Sequence, residues 1–537
     1  MVKSYKHLYT PDEVIKCFSK VKGTRVNWEE LWDELAHYVV PLKEMYATAP
    51  GQKKYGHLLD TTAMVNAELL AGSLHSMLTS PSGYFFALTT GDFQLDKKDA
   101  VRMYLQDTTR VLHEKINDSN FQTEVHEMYL SLVGQGNSCF SVDEEREAPG
   151  SIICSTRPMK GVWWREDSKG RVVELYREMD MTPEDMVDEF GLEELPDKIQ
   201  KAYKENKKDK WEVIHVVYPR KKTAEAKKEF RFDYASQYVI KKEKITVKID
   251  GYYEFPYMTP RWVKMAGETY GRGPGEKALG PAKALNVMRE TTISGAQKVV
   301  DPPLQAPDDG FILQVNTSPG GLSYYRAGSQ DRIQPVFNDA RIDFGYQAIE
   351  QERVQIREAF YTDQLKLREG DRMTTVEVNQ RIEEGLRFMG PMLGRLEREF
   401  LVPFVTRIYR IAERNDQLPV LPAELKGKPI KVRYSSIMAI QQRMSEITNI
   451  RRTMAEVAPF LTMDQRLMNM FSGQEAIRYI ARIMGFPQEL IRKQEEVDAL
   501  NQQQQQMQQQ QMQAEQQKAQ ADAANKTLSG VAKVQQQ

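Results

Sequence analysis

Cysteine is scarce in this chain: there are three among 537 residues, Cys17, Cys139 and Cys154. An odd number without ligand spacing implies neither a disulfide framework nor a zinc site. Long apolar runs are missing as well. No stretch approaches the ~20 consecutive apolar residues of a membrane helix. The opening MVKSYKHLYTPDEVIKCFSK has no apolar core or small-residue cleavage site, so no signal peptide and no membrane partner are expected. Charge of one sign is not in excess, since 74 basic and 75 acidic residues leave a net −1. A protein that grips nucleic acid by neutralising phosphates is usually basic. That balance argues against a conventional DNA-binding module, but not against a protein that encircles DNA and lets it slide.

Catalytic signatures are equally thin. No GK[ST] tripeptide is present, so a P-loop is excluded, and GxSxG, HExxH and EF-hand patterns do not occur. The seven histidines are dispersed, with no pair at the i, i+4 spacing of a helical metal site. Acidic clusters at Asp143–Glu144–Glu145 and Asp308–Asp309 read as solvated loop charge rather than a magnesium site. The expectation is a protein without catalytic residues, metal or cofactor.

What is present is a large globular chain with ordinary composition, 41% hydrophobic and 28% charged, long enough for several structural units. Residues 10–46 read as mostly helical, started by Thr10 as a hydroxyl cap, Pro11 at the first helical position and acids in the first turn. Helical spacing recurs over 60–80 and 97–137. Strands follow at 138–143, 151–158, 161–167 and 171–179, the last two joined by a hairpin turn at Asp167–Gly170. A charged helical stretch at 182–208 precedes strands at 211–219, 228–233, 237–248 and 251–255. Helices are expected at 275–298 and 339–361 around a segment rich in Pro, Gly and Asp, and at 374–414. Gly390–Pro391 and Pro403 should kink or break the last of these. More helices are expected between 436 and 500, and the Gln-rich 501–537 is too polar for a core. No internal repeat is seen. The fold class is α+β and mainly helical.

The glycines Gly271, Gly273 and Gly275 open the helix at 275. A dinucleotide turn from Gly271 needs a third glycine where Glu276 stands; one from Gly273 fits the looser form ending in Ala278 but lacks a following strand, because Pro302 and Pro303 come next. A hinge or tight packing site is the expected role. Adjacent Trp163 and Trp164 read as one core and one interface residue rather than a base-stacking platform.

Four segments taken in order resemble the portal, or head-to-tail connector, proteins of short-tailed T7-like bacteriophages: LLAGSLHSMLTSPSGYFFALT (69–89), HEMYLSLVGQGNSCF (126–140), GETYGRGPGEKALGPAKALNVMRETTISGAQKVVDPP (267–303) and RMTTVEVNQRIEEGLRFMGPMLGRLEREFLVPFVTRIYRI (372–411). Their order, spacing and total length carry the likeness over roughly residues 10–490. The resemblance implies a ring of about twelve subunits around a channel. Residues 1–265 would be wing, 266–298 the first stem helix, 299–338 the clip, 339–364 the second stem helix and 365–373 a tunnel loop. Residues 374–435 would be a kinked wing helix and return strand and 436–500 a helical crown; the Gln-rich tail 501–537 lies outside the resemblance, and its composition suits disorder or a helix formed only against a partner.

The resemblance also implies a role. The ring would sit at one vertex of the virion head after assembly in the host cytoplasm. It would pass double-stranded DNA without sequence preference during packaging and ejection. Its partners would be the terminase large subunit, the major capsid and scaffolding proteins and the tail adaptors. A ring multiplies each charge, so few cations per chain suffice for loose phosphate contact. The candidates are Lys283, Arg289, Lys298, Arg341, Arg353 and Arg357 on the stem, and Lys366, Arg368 and Arg372 in the loop, where Gly370 gives mobility. The alternatives are a nuclease or NTPase of the packaging apparatus, and a helical scaffold protein unrelated to phage.

Overall fold

The computed structural model describes residues 7–41, 58–301, 342–365 and 389–434, with short breaks at 82, 97, 146–147, 222 and 224–229. It also describes Gly56, residues 304–305 and 334–335, and scattered helical residues between 447 and 512. Arg341, Lys366, Arg368, Gly370 and Arg372 lie outside the described residues, as do most of 299–338, 436–500 and the tail.

The helices are α1 (Pro11–Gly23), α2 (Val26–Tyr38), α3 (Thr62–Leu78), α4 (Phe93–Asp96), α5 (Asp99–Asp118), α6 (Phe121–Gln135), α7 (Pro183–Phe190), α8 (Asp197–Lys204), α9 (Pro274–Val300), α10 (Ile342–Ala359), α11 (Thr362–Leu365), α12 (Gly390–Leu396) and α13 (Val402–Arg414). The strands are β1 (Phe86–Thr89), β2 (Cys139–Glu144), β3 (Ile152–Arg157), β4 (Val162–Glu166), β5 (Val172–Met181), β6 (Trp211–Pro219), β7 (Tyr234–Ile240), β8 (Ile245–Tyr252), β9 (Tyr257–Met258), β10 (Leu304–Gln305), β11 (Gln334–Pro335) and β12 (Lys431–Tyr434). The mixed α+β composition expected from the sequence is present. Two compact units divide the chain: Met1–Leu88 with Thr108–Pro419 and Val432–Ser436, and Thr89–Asp107 with Val420–Lys431 and Ile437–Gln537.

The first unit is built on an antiparallel five-stranded sheet in the order β4-β5-β6-β7-β8. Strand residues alternate between its faces. One face carries Trp163, Tyr176, Ile214, Val216 and Val239, which bury Val14 and Phe18 of α1. The other carries Val213, Ile240 and Val247 beneath Met186 of α7 and Ile199 of α8. Two of these three covering helices, α1 and α7, begin with the same device. In α1 the Thr10 hydroxyl accepts the Glu13 amide and the Glu13 carboxylate accepts the Thr10 amide. In α7 Thr182 and Asp185 repeat that exchange, again with proline at the first position.

The mostly helical stretch expected over 10–46 is two helices among the described residues, separated at Thr24–Arg25. Arg25 explains the break. Its guanidinium is fully buried, donates to the carbonyls of Met159 (2.9 Å), Lys160 (3.1 Å) and Val162, and lies 4.1 Å from the Trp163 ring. A continuous helix could not deliver that side chain into the sheet. Trp163 and Trp164 are both buried, under α1 and against Tyr270 respectively, so neither is free to stack a base. The expected strand 237–248 is a hairpin, turned at Lys241–Lys244 with Lys244 in the left-handed region. Phe230–Asp233 forms no strand; Arg220 holds it as a loop through Phe232 O (2.7 Å) and Asp233 (3.0 Å). The helix expected over 97–137 is interrupted at Ser119–Asn120 between α5 and α6.

Pro391 lies in the first turn of α12, where its missing N–H costs nothing. Pro403 is accommodated differently. A π-turn at Glu397–Leu401, in which Val402 N–H reaches Glu397 O, immediately precedes it, and Pro403 stands in the first turn of α13. Pro281 stands inside α9 and likewise withholds an amide from Lys277.

In the second unit, described by itself, the Asp96 carboxylate gathers the hydroxyls of Thr89 (2.6 Å) and Thr90 (2.7 Å) and the amide of Thr90 (3.0 Å). Arg102 pairs with Asp99 at 2.7 Å.

Candidate functional site

The glycine-rich entry to α9 packs against the end of α6. Helix α6 stops at Gly136, whose φ of +74° is a left-handed cap that glycine adopts without steric cost. Directly opposite lie Gly271, Gly273 and Gly275. A Cβ on Gly273 would stand 2.8 Å from the Gly136 backbone, one on Gly271 2.9 Å from Gly136 O, and one on Gly275 would strike Gly134 O. Asn137, fully buried, locks the two strands of chain together. It accepts the Gly271 amide and donates to the Gly271 carbonyl, both at 2.7 Å. The Arg272 amide goes to Val263 O at 2.7 Å. The amides of Gly271 and Arg272 are thus already used, and the glycines serve close backbone packing.

A buried ionic cluster adjoins this junction. Arg261, 2% exposed, donates to Glu399 through Nη2 (2.6 Å), Nε (3.1 Å) and its own backbone amide (3.0 Å). It also bonds Glu166, Thr269 O (3.0 Å) and Gly170 O (3.1 Å). Lys264 adds two 2.7 Å bonds to Glu166, and Arg395 approaches Glu399 at 3.4 Å. Burial alone would pull the Arg261 guanidinium down, but Glu399 and Glu166 outweigh it, and the group stays charged.

Aromatic side chains complete the neighbourhood. Phe121 of α6 stacks on Phe404 (4.6 Å) and faces Phe85 (6.1 Å), while Phe140 meets Phe400 edge-on at 5.3 Å. His113 lies flat on Phe86 at 4.0 Å, and burial lowers its pKa to about 4, so it is a neutral packing group. Helix α3 joins through His75 to Gln122 (2.7 Å) and Thr79 to Tyr129 (3.4 Å). All four segments that carry the sequence resemblance therefore meet around α6.

Beyond the junction α9 and α10 run side by side, with Gly345 lying against Thr292. Four of their charged candidates have acidic partners in the same chain. Lys283 bonds Glu34 at 2.7 Å. Arg353 and Arg289 converge on the buried Asp60, at 2.7 and 3.9 Å, and Arg357 reaches Glu350 at 3.1 Å. Lys298 is exposed near the end of α9. Burial pushes the Asp60 carboxyl up, but Thr62 and Arg353 outweigh it and hold it below the usual carboxylate range. That contribution to stability is present above the unfolded-state pKa and is lost as pH falls through the lowered folded value.

Asn137, Arg261, Glu399 and Asp60 were not singled out from sequence; each finds its partner more than a hundred residues away, and only the doublet of glycines around Gln135 hinted at the junction. The acidic trio is only partly solvated: Asp143 stands 3.8 Å from Arg407, and Glu144 accepts from Asn415 at 2.8 Å. Cys139 and Cys154 are buried, and burial pushes both thiols up to about 12. Reactive thiols are accessible and ionised. Thiol titration of the native protein at pH 8 is accordingly expected to label Cys17 alone, with the other two appearing only in denaturant.

Comparison with known proteins gives a consistent picture. The family model described as "Bacteriophage head to tail connecting protein" matches residues 11–491. The chain is 28% identical to a probable portal protein of Bordetella phage BPP-1, covering 90% of this chain and 89% of the relative. It is 26% identical to the portal protein of Salmonella phage epsilon15, covering 92% and 90%. A shorter match, 24% identical over 177 residues and 32% of each chain, is to the portal protein of Enterobacteria phage T3.

Proposed function

Since the chain belongs to the family of bacteriophage head-to-tail connecting proteins, we propose that copies of it close into a ring of about twelve subunits around a DNA channel at one vertex of the head. The observation that carries this reading is the pairing of α9 with α10. As a single chain this pair leaves large apolar side chains in water: Val287, Val299, Val300, Phe344 and Tyr346 are all at least half exposed, Val300 at 86%. Contiguous exposed apolar groups mark association surfaces, and neighbouring copies of the pair would cover them. In this arrangement α9 and α10 are the stem and 299–338 the clip between them. The loop 365–373 faces the channel, and 436–500 form the crown.

The ionic partners of Lys283, Arg289, Arg353 and Arg357 suit them to fixing the stem and leave them only part of their charge for the channel. Among the described cations Lys298, exposed near the end of α9, is the better candidate for contact with sliding phosphates; Arg341, Lys366, Arg368 and Arg372 stay candidates on the resemblance alone. The clip would meet the terminase large subunit and afterwards the tail adaptors, in succession. The wing and crown would face major capsid and scaffolding proteins.

Negative-stain electron microscopy with native mass measurement on the purified chain tests the reading. The expected result is closed rings of about twelve copies with a central hole. A compact monomer that hydrolyses nucleotide unaided would overturn it in favour of a packaging enzyme.

A further inference from the structure

The first unit holds a cleft of about 850 Å³ that no part of the channel reading uses, lined by β2, β3, β5–β8, α7 and α13. Its size falls in the range of ligand pockets. Cross-strand register places Arg177, His215, Tyr238 and Lys248 opposite one another in a row over the sheet. Arg177 Nη1 donates to the Tyr257 hydroxyl at 3.3 Å, that hydroxyl contacts His215 Nδ1 at 3.3 Å, and His215 Nε2 lies 2.8 Å from Ser236 Oγ. Burial, with Arg177 and Arg157 close by, keeps His215 uncharged. Arg157 enters from β3, with Nε donating to Ser141 Oγ at 3.2 Å.

Asp143 and Glu189 also line this cleft, and Glu189 bonds Lys248 at 3.2 Å, but neither is within ion-pair distance of Arg157 or Arg177. Among the described residues no carboxylate forms an ion pair with either guanidinium; burial is the largest influence on Arg177, followed by Tyr257, Tyr238 and Cys139. Elsewhere in this unit the buried or half-buried arginines have acids: Arg25 has Glu29, Arg261 has Glu399 and Arg353 has Asp60. Half-burying two like charges with neutral partners alone is costly unless an anion joins them. The rim has the opposite sign. Glu144, Glu145, Asp185, Asp188 and Asp250 line the cleft and are exposed. A polyanion such as a nucleic-acid backbone would meet those carboxylates first.

We infer that this cleft binds a carboxylate side chain presented by a protein segment with basic residues on either side of it, the acid reaching Arg157 and Arg177 and the bases meeting the rim. Guanidinium forks match carboxylates geometrically and give the stronger class of hydrogen bond. The inference does not rest on ring formation, which is read separately by microscopy.

Isothermal titration of the full chain with the peptide Ac-Lys-Glu-Lys-NH2 is the test, with Ac-Lys-Gln-Lys-NH2 and inorganic phosphate as comparison probes at matched ionic strength. The expected result is saturable binding of the first peptide, about tenfold weaker for the second. Arg157→Met and Arg177→Met should each bring the first peptide down to the level of the second. Arg157 lies on an edge strand of its small sheet, so its variant is expected to fold even if the Arg177 variant does not. No binding to the wild type, equal binding of the two peptides, or no loss in Arg157→Met would overturn the inference. Tighter binding of phosphate than of the glutamate peptide would do the same, by reassigning the floor to a phosphate ligand.

Discussion

Gly136→Ala is expected to destabilise the first unit by about 3 kcal/mol or more, read as a shift in the urea midpoint of the full chain. Two effects add. An alanine at a φ of +74° pays about 1 kcal/mol for the left-handed conformation alone. Its Cβ would also fall on the backbone nitrogen of Gly273 and close to Gly271 O. That backbone cannot retreat easily, because Asn137 holds Gly271 from both its amide and its carbonyl and Val263 holds Arg272. Gly295→Ala provides the contrast. Nothing lies within 4 Å of a Cβ at Gly295 and its φ is not positive, so in mid-helix it should gain up to about 1 kcal/mol. Equal effects at the two sites would show that backbone closeness at the junction is not what these glycines supply.

Arg261→Met is expected to cost about 3–5 kcal/mol, the usual penalty for removing one member of a buried ionic group. The loss comes less from the pairs themselves than from Glu399 and Glu166, left, among the described residues, with Arg395 at 3.4 Å and Lys264 at 2.7 Å as cations. Arg261→Lys keeps the charge but cannot make the fork of bonds to Glu399 together with those to Thr269 and Gly170, so it should recover only part of the stability. A double-mutant cycle with Glu399→Leu separates the two costs. Coupling well above 1 kcal/mol is expected for side chains joined by two bonds in a buried site. Additive effects would place the cost of Arg261 in its carbonyl bonds instead.

What the sequence revealed and what it hid divide by range. Local signals read well: the Thr10–Pro11 start, the Asp167–Gly170 turn, strand β6 and the two long helices each depend on residues a few positions apart. The Lys241–Lys244 turn escaped because it contains no glycine, proline or asparagine; a lysine takes the left-handed position. The break at Thr24–Arg25 escaped because its cause is the carbonyls of residues 159–162. The same holds for the charged helix residues. Their spacing on α9 and α10 says where cations lie, but whether Arg353 faces open water or Asp60 is settled 293 positions away. At the glycine cluster the sequence left a packing site and a hinge both open. The packing role emerged only when Gly134 and Gly136 stood opposite, from a segment more than a hundred residues earlier.

The π-turn at Glu397–Leu401 has a bearing on how this region can change over time. Glu399 serves the ionic cluster, whereas Phe404 serves the aromatic one. On a regular helix two residues five apart point about 140° away from each other, and the wider turn narrows that divergence so that one rod addresses both neighbours. Trimming a single residue there would restore ideal helical geometry and swing one of the two clients out of reach. The irregular turn is a phase adjustment between two surfaces, and substitutions within it are better tolerated than any change in its length.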